Sequence, residues 1–419
     1  MISRLEDFFR REPYNTEFAS RAWAHPGLDV LGAAALLYAI WSGNGLLVGL
    51  LAIFFATSRI AWYYRTKVWR SLSLSLRVSP RRVFPDKPVE LRIQLANHNR
   101  LPLPWLRLEL HLARRVEAPE LTMQMSPFDV VLLLPFSLGA HGRVERRIQL
   151  QVPQRGLQRI GPVAAHVSDP LGLEDSRHEL PGETDFLCYP CMHDIHAEIR
   201  EAMPLGERRG RSFLDEQSQY LGPRPYQPTD PLRRIDWRQS ARRGDLFVRT
   251  YETVATAQTA IFLDPTTARQ PWDGIDPEIL EDTVEITASL ANHLIARGQA
   301  VGLYVTGIFS EAAGRRPFSM RARPRGGPQQ LGRILAALAQ LRPPGLFRNL
   351  PLILMEELPS LDYQVQIIAI APYLTKDLQF ALMRAARNHR TFFLQTGPAR
   401  EGDVAPPPRV RRLRVTPLA

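Results

Sequence analysis

The sequence predicts an α/β plus all-β chain in three parts. These are an N-terminal transmembrane helical hairpin, a β-sandwich-like module and a C-terminal doubly wound α/β domain. Three observations predict this. No charged residue occurs from Val30 to Ser58. Stretches such as VELRIQL (Val89–Leu95) and RVERRIQLQV (Arg143–Val152) alternate apolar and polar residues, the period of half-buried strands. From Thr259 onward, short apolar runs alternate with amphipathic helical stretches, the rhythm of a parallel sheet covered on both faces.

A bilayer core needs about 20 apolar residues per helix. SGNG (Ser42–Gly45) interrupts the uncharged run with turn residues. The expectation is therefore two spans, roughly Trp23–Trp41 and Leu46–Tyr64, within residues 1–70. Trp41, Trp62, Tyr63 and Tyr64 stand where interfacial aromatics belong. Arg4, Arg10, Arg11 and Arg21 precede the pair and Arg65, Lys67 and Arg70 follow it, while the turn is uncharged. The positive-inside rule then puts both flanks, and the bulk of the chain, on the cytoplasmic side of the membrane.

Residues 71–185 read as all-β, with NHNRLPLP as a loop and proline and glycine between the runs. The two cysteines follow in CYPCMHDIH, where Cys188, Cys191, His193 and His196 spell C-x-x-C-x-H-x-x-H. A zinc finger separates its cysteine and histidine pairs by about a dozen residues so that the chain can wrap the ion. Here all four fall within nine residues, and FLCYP reads as a strand. The pattern argues against a finger.

Residues 186–258 form a junction and residues 259–397 the α/β domain. In the latter, TAIFL (Thr259–Leu263) is a strand ending at Asp264. Asp276 and Pro277 are an N-cap and first-turn pair for a helix that stops at Gly298. Strand AVGLYV (Ala300–Val305), helix Gln329–Leu341, strand VQIIAIA (Val365–Ala371), helix Asp377–Asn388 and strand TFFLQ (Thr391–Gln395) follow. The tail, 398–419, is a Pro/Arg-rich linker with an edge-strand candidate in RVRRLRV.

Ligands of such sheets bind beyond the carboxyl ends of the strands. Asp264 and Thr266 are accordingly candidate oxygen ligands for Mg²⁺. No G-x-x-x-x-G-K-[ST] loop, H-E-x-x-H or G-x-S-x-G appears, so the chain is expected to have no catalytic residues of those kinds. The formal charge is +11, and only Lys67, Lys87 and Lys376 among the 53 basic residues are not arginine. A basic chain is drawn to nucleic acid, anionic membrane or acidic protein.

The basic residues are densest in RRIDWRQSARRG (Arg233–Gly244), with five arginines in twelve residues. Asp230 and Pro231 can start a helix there that Gly244 ends. On it Arg234, Arg238 and Arg242 would line one face. Such a row needs carboxylates or an anion opposite it. The readings are an internal arginine–carboxylate network, a surface for an acidic partner, or a nucleic-acid groove. The last normally interleaves several aromatics, and Trp237 stands almost alone.

RPYQPTDPLRRIDWRQSARRGDLFVRTYE (Arg224–Glu252) closely resembles the hallmark of the bacterial domain-of-unknown-function 58 family, R-x-Y-x-P-G-D-x-x-R-x-I-x-W-x-x-[ST]-A-R followed by L-x-V-R-x-[YF]-E. RGLQRIGPVAAHVSDPLGL (Arg155–Leu173) resembles a second hallmark of that family. Thr229 stands where glycine is usual, and LCYPC where a VYP strand is common. The resemblance implies a von Willebrand factor A-like C-terminal domain. It also implies an adaptor or assembly role beside a MoxR-type AAA+ ATPase, with a transglutaminase-like membrane protein as a further partner. It singles out Arg224, Tyr226, Asp230, Arg233, Arg234, Asp236, Trp237, Arg238, Arg242, Arg249 and Glu252 as partner-binding or bracing residues. The adhesion-type metal site of A-like domains reads D-x-S-x-S, against Asp264, Thr266 and Ala268 here. A metal-dependent enzyme centred on Asp264 and a nucleic-acid-binding protein are the rival expectations.

Overall fold

A computed structural model describes residues 26–43, 45–85, 87–113, 116–118, 123–125, 130–169, 175–194, 218–228, 230, 232–253, 257–267, 274–309, 318–342, 350–398 and 404–414. The chain divides into two compact units, one reaching Tyr189 and one starting at Pro190.

The first unit begins with helices α1 (Pro26–Trp41) and α2 (Gly45–Thr66), separated by a turn at Ser42 and Gly43. A methyl placed on Gly32 would come within 2.7 Å of the Phe55 ring, so glycine is what lets α1 approach α2. Within α2, Gly45–Tyr64 is long and apolar enough to cross a membrane. The 16 residues of α1 fall short of that length. Of the expected first span, Trp23 to His25 lie outside the described residues.

A single 3₁₀ turn, Val68–Ser71, carries α2 into strand β1 (Leu72–Ser79). Tyr64 and Val68 are already buried in the sandwich core, and the Tyr64 hydroxyl donates to Pro102 O at 2.6 Å. β1, β3 (Val89–Asn97) and β7 (Arg143–Leu150) form one antiparallel sheet. The second runs β2 (Arg82–Val83), β10 (Thr184–Cys188), β8 (Gly156–Ser168), β4 (Leu103–Leu112), β6 (Val130–Leu138) and β5 (Met123–Met125), with β9 (Asp175–Leu180) also on β8.

The predicted alternation is the packing. Val89, Leu91, Ile93 and Leu95 of β3 share one core with Leu106, Leu108, Leu110 and Leu112 of β4. Each such side chain contributes about 1.5–3 kcal/mol by leaving water. The loop NHNRLP closes on Asn97, whose side-chain amide donates to Leu101 O and Gly139 O. On the opposite face of β4, Glu109 meets His166 at 2.7 Å, Arg177 at 3.1 Å and His111 at 3.2 Å. Burial raises the Glu109 carboxyl, but His166 and Arg177 outweigh it and hold it down at about 2.

In the second unit a mixed sheet runs β15 (Phe318–Arg325), β14 (Ala300–Phe309), β13 (Gln258–Leu263), β17 (Gln366–Ala371), β18 (Thr391–Gln395) and β19 (Arg411–Arg414). Counted within the domain this is order 3-2-1-4-5-6. All neighbours are parallel except β15, which is an antiparallel edge. β16 (Leu341–Arg342) pairs with the far end of β14. The edge strand expected in the tail is β19.

Helix α4 (Pro277–Ala296) follows β13. The Asp276 side chain accepts from Glu278 N and Ile279 N, and Gly298 turns the chain out at φ +79°. Helices α5 (Pro328–Gln340), α6 (Leu350–Glu357) and α7 (Lys376–Ala385) complete the layers. Ala260 and Phe262 of β13 pack with α6 and α7. The period of two turns the equally buried Ile261 and Leu263 to the other face. Central strands covered on both sides need such continuous apolar runs.

Candidate functional site

The junction folds as a hairpin whose long insertion is stitched back onto its own strands. β11 (Ser218–Pro225) and β12 (Phe247–Thr253) are antiparallel, with an irregularity between Tyr220 and Gly222 where Gly222 takes φ +140°. Beyond Pro225, Tyr226 N donates to Leu246 O, which closes the neck of the insertion. Inside it lie a 3₁₀ turn, Leu232–Arg234, and helix α3 (Trp237–Arg243).

Asp236, not Asp230, starts the helix. Its Oδ1 accepts from Gln239 N at 3.2 Å and its backbone is non-helical (φ −86°, ψ 85°). The Asp230 carboxylate is engaged elsewhere, taking a bidentate grip from Arg224 at 2.8 and 2.5 Å and a bond from Gln227 N at 2.9 Å. The expected single row of Arg234, Arg238 and Arg242 is therefore corrected: Arg234 lies in the 3₁₀ turn upstream of the cap. Only Arg238 and Arg242 share α3, one turn apart.

The rest of the insertion is tied to β12. Ile235 bridges Val248, and Asp236 N donates to Phe247 O. The buried Ser240 hydroxyl accepts from Phe247 N at 2.9 Å. Gly244, in the left-handed conformation, ends the helix. Arg249 reaches back to Asp236 Oδ2 at 3.3 Å. Hydrogen bonding from Gln239 N–H lowers the Asp236 carboxyl, with help from Arg249, and together they outweigh the opposing effect of burial.

The hallmark thus separates by direction. Two of its carboxylates, Asp230 and Asp236, are engaged by Arg224 and Arg249, while Asp245 is exposed. Arg233, Arg238 and Arg242 are exposed, beside Leu232 at 67 % exposure and Trp237 at 66 %. Tyr226 is half-buried, and Glu252 stands opposite Gln219 in the hairpin.

Asp264 ends β13 between β14 and β17, the point where the strand order reverses and doubly wound sheets hold ligands. Its N donates to Ile370 O and its Oδ1 accepts from Thr266 N at 3.0 Å. Both side chains are buried, and Thr266 Oγ1 has no hydrogen-bond partner among the described residues. Thr267 Oγ1 accepts from Asp276 N, so it braces the start of α4. The structure therefore brings Asp264 and Thr266 together; Ala268 lies outside the described residues.

Residues 222–404, from within β11 to beyond β18, match the family described as "Protein of unknown function DUF58". Over those residues, a little under half of the chain, the sequence is that of a DUF58 region. The curated protein "Uncharacterized protein YeaD" of Bacillus subtilis (strain 168) is 23 % identical over 151 residues, 36 % of each chain, so this chain spans about a third of that relative's length. Among solved structures, a CARDB domain of the Pyrococcus furiosus PF1109 protein gives a TM-score of 0.20 at 16 % identity, covering 28 % of this chain and 86 % of that one. A type II cohesin domain from Acetivibrio cellulolyticus gives 0.22 at 8 %, covering 28 % and 95 %. Scores this low bear on neither fold nor function.

The DUF58 match takes in most of the hairpin, its insertion and the α/β sheet as far as β18, leaving out β19. One group outside the hallmark was not foreseen from spacing. Cys191 and His193 meet Glu285 of α4, more than ninety positions downstream. Cys188 is instead buried in the sandwich core, its thiol directed at Val152 O. His196 lies outside the described residues. Nothing local in the sequence points from CMH to Glu285; only the docking of residues 190–194 on α4 does.

Proposed function

We propose that this DUF58 protein is a non-catalytic, membrane-anchored adaptor that presents the outward face of its hallmark insertion to a MoxR-type AAA+ ATPase. The observation that carries this is the separation by direction in the insertion. With Asp230 and Asp236 engaged by Arg224 and Arg249, the exposed arginines and the projecting Trp237 and Leu232 form a cationic, aromatic-anchored surface. Trp and Arg are the side chains over-represented among binding hot spots. The strand order 3-2-1-4-5-6 with one antiparallel edge supports a von Willebrand factor A-like reading of the α/β unit. Helix α2 is the anchor, α1 belongs to a second span, and the basic flanks keep the bulk of the chain cytoplasmic. A transglutaminase-like membrane protein is a further partner of the same assembly. A nucleic-acid groove fits less well, because Trp237 lacks neighbouring aromatics in the insertion on which bases could stack.

The test is binding of the full chain, in detergent, to its cognate MoxR-type ATPase. Trp237→Ala and the double change Arg238→Glu/Arg242→Glu are each expected to weaken binding at least about tenfold with folding intact, the scale of a hot-spot truncation. Undiminished binding by the folded variants would remove the surface from the proposal.

A second reading rests on Thr266. A buried hydroxyl without a hydrogen-bond partner among the described residues, beside the Asp264 carboxylate at the switch point, is a donor pair for a hard cation such as Mg²⁺ completed by water. It would polarise a bound oxygen ligand there. Titration calorimetry with Mg²⁺ should then give a binding heat that Asp264→Ala abolishes; equal heats in both proteins end this reading.

A further inference from the structure

The geometry points to a zinc site formed by Cys191, His193 and Glu285, apart from both the hallmark surface and the Asp264 loop. One ligand atom from each of the three lies within 4.8 Å of the others. His193 Nε2 and Glu285 Oε2 are 3.3 Å apart. A tetrahedral Zn²⁺ takes sulfur at about 2.3 Å and nitrogen or oxygen at about 2.0–2.2 Å. Those bond lengths separate neighbouring ligand atoms by roughly 3.3–3.8 Å. The observed cluster needs a contraction of about an ångström at its widest, within the reach of side-chain torsions.

The backbone holding the site is fixed by bonds that serve no other group described here. His193 N donates to Ser289 Oγ at 3.0 Å, and the same hydroxyl donates to Glu285 O at 2.7 Å. Residues 190–194 are thereby pinned one helical turn from Glu285. The thiol and the imidazole, two residues apart, both reach the Glu285 carboxylate on α4. A histidine–carboxylate pair alone accounts for His193 and Glu285; it does not account for a thiol converging on the same point.

A divalent cation held by one thiolate, one carboxylate and one neutral imidazole gives a centre with no net charge. Thiolate with imidazole selects Zn²⁺ over Mg²⁺ or Ca²⁺. Three protein ligands leave a fourth position for water, the open type of zinc coordination. The site is independent of the proposed adaptor role, and a failure of one leaves the other standing.

The test uses the full chain in detergent, stripped with a chelator and then titrated with Co²⁺ as a spectroscopic stand-in and with Zn²⁺ by competition against a chromophoric chelator. One equivalent of Co²⁺ is expected to give a thiolate charge-transfer band and the strong visible bands of tetrahedral coordination, both bleached by Zn²⁺. Cys191→Ser should abolish the charge-transfer band. His193→Ala and Glu285→Gln should each weaken Zn²⁺ binding at least about tenfold, as loss of a ligand does more than loss of its support. Cys188→Ser, in the sandwich core, should leave the band unchanged, with circular dichroism confirming that each variant folds. Absence of the band in the native chain, or its survival in Cys191→Ser, would overturn the site.

Discussion

Phe262→Ala should remove about 3–5 kcal/mol from the stability of the α/β unit, the range for truncating a buried phenylalanine. Phe262 sits on the central strand with no solvent exposure, and its ring lies parallel to that of Tyr304, 4.7 Å away. Stacked pairs add about 0.5–1.5 kcal/mol beyond area. The truncation would also open a void beneath α6 and α7, where Leu354, Leu378 and Phe393 share the cluster. Domains are stable by about 5–15 kcal/mol, so this one change consumes a large part of the margin. Denaturant unfolding of the full chain followed by circular dichroism measures it. Phe262→Leu, which keeps most of the apolar volume, should cost well under half as much. Equal losses for the two substitutions would show that the ring itself is not what fills the site.

Asp236→Ala is expected to lower the melting temperature of the hallmark region by several degrees and to release α3 from β12. Two bonds go at once: the cap to Gln239 N and the contact with Arg249. Asp236→Asn separates them, because the amide oxygen still caps while the charge is lost. The two variants should therefore rank below the native chain in the order Asn, then Ala. The pH dependence follows from the lowered Asp236 carboxyl. A carboxyl whose folded value is depressed contributes stability above the ordinary carboxylate range and loses it as the pH falls through the depressed value. The gap between the native chain and Asp236→Asn should accordingly be full near neutrality and narrow on acidification. A gap that widens in acid would contradict the assignment of the Arg249–Asp236 contact as favourable.

Much of this architecture is legible in the sequence, for identifiable reasons. Alternation along Val89–Leu95 works because one face of β3 is buried and the other is not. Asp276 and Pro277 mark the start of α4 because the cap is made by the adjacent residues themselves. Asp230 and Asp236 could not be ranked as helix starts in the same way. The choice depends on Arg224, which claims the Asp230 carboxylate from the end of β11, a side-chain contact across a loop that residue spacing does not fix. β11 was hidden for a related reason. YLGPRP carries a glycine and two prolines that read as a turn, yet an edge position and an irregularity accommodate them. Glu285 lies on a helix of ordinary amphipathic pattern, so its convergence with Cys191 and His193 could be seen only once the chain was folded. For the membrane segment, the uncharged run was plain.

The seam between α2 and the sandwich has a mechanical consequence. Tyr64 and Val68 are packed among sheet residues, and only a single 3₁₀ turn intervenes before β1. The apolar helix is thus a mast rather than a leash. A flexible tether of a few residues would let a domain sample every bearing within its reach. Here the sandwich cannot swivel about the helix without breaking its own core. Whatever environment fixes the tilt and rotation of α2 fixes the compass heading of the β module as well.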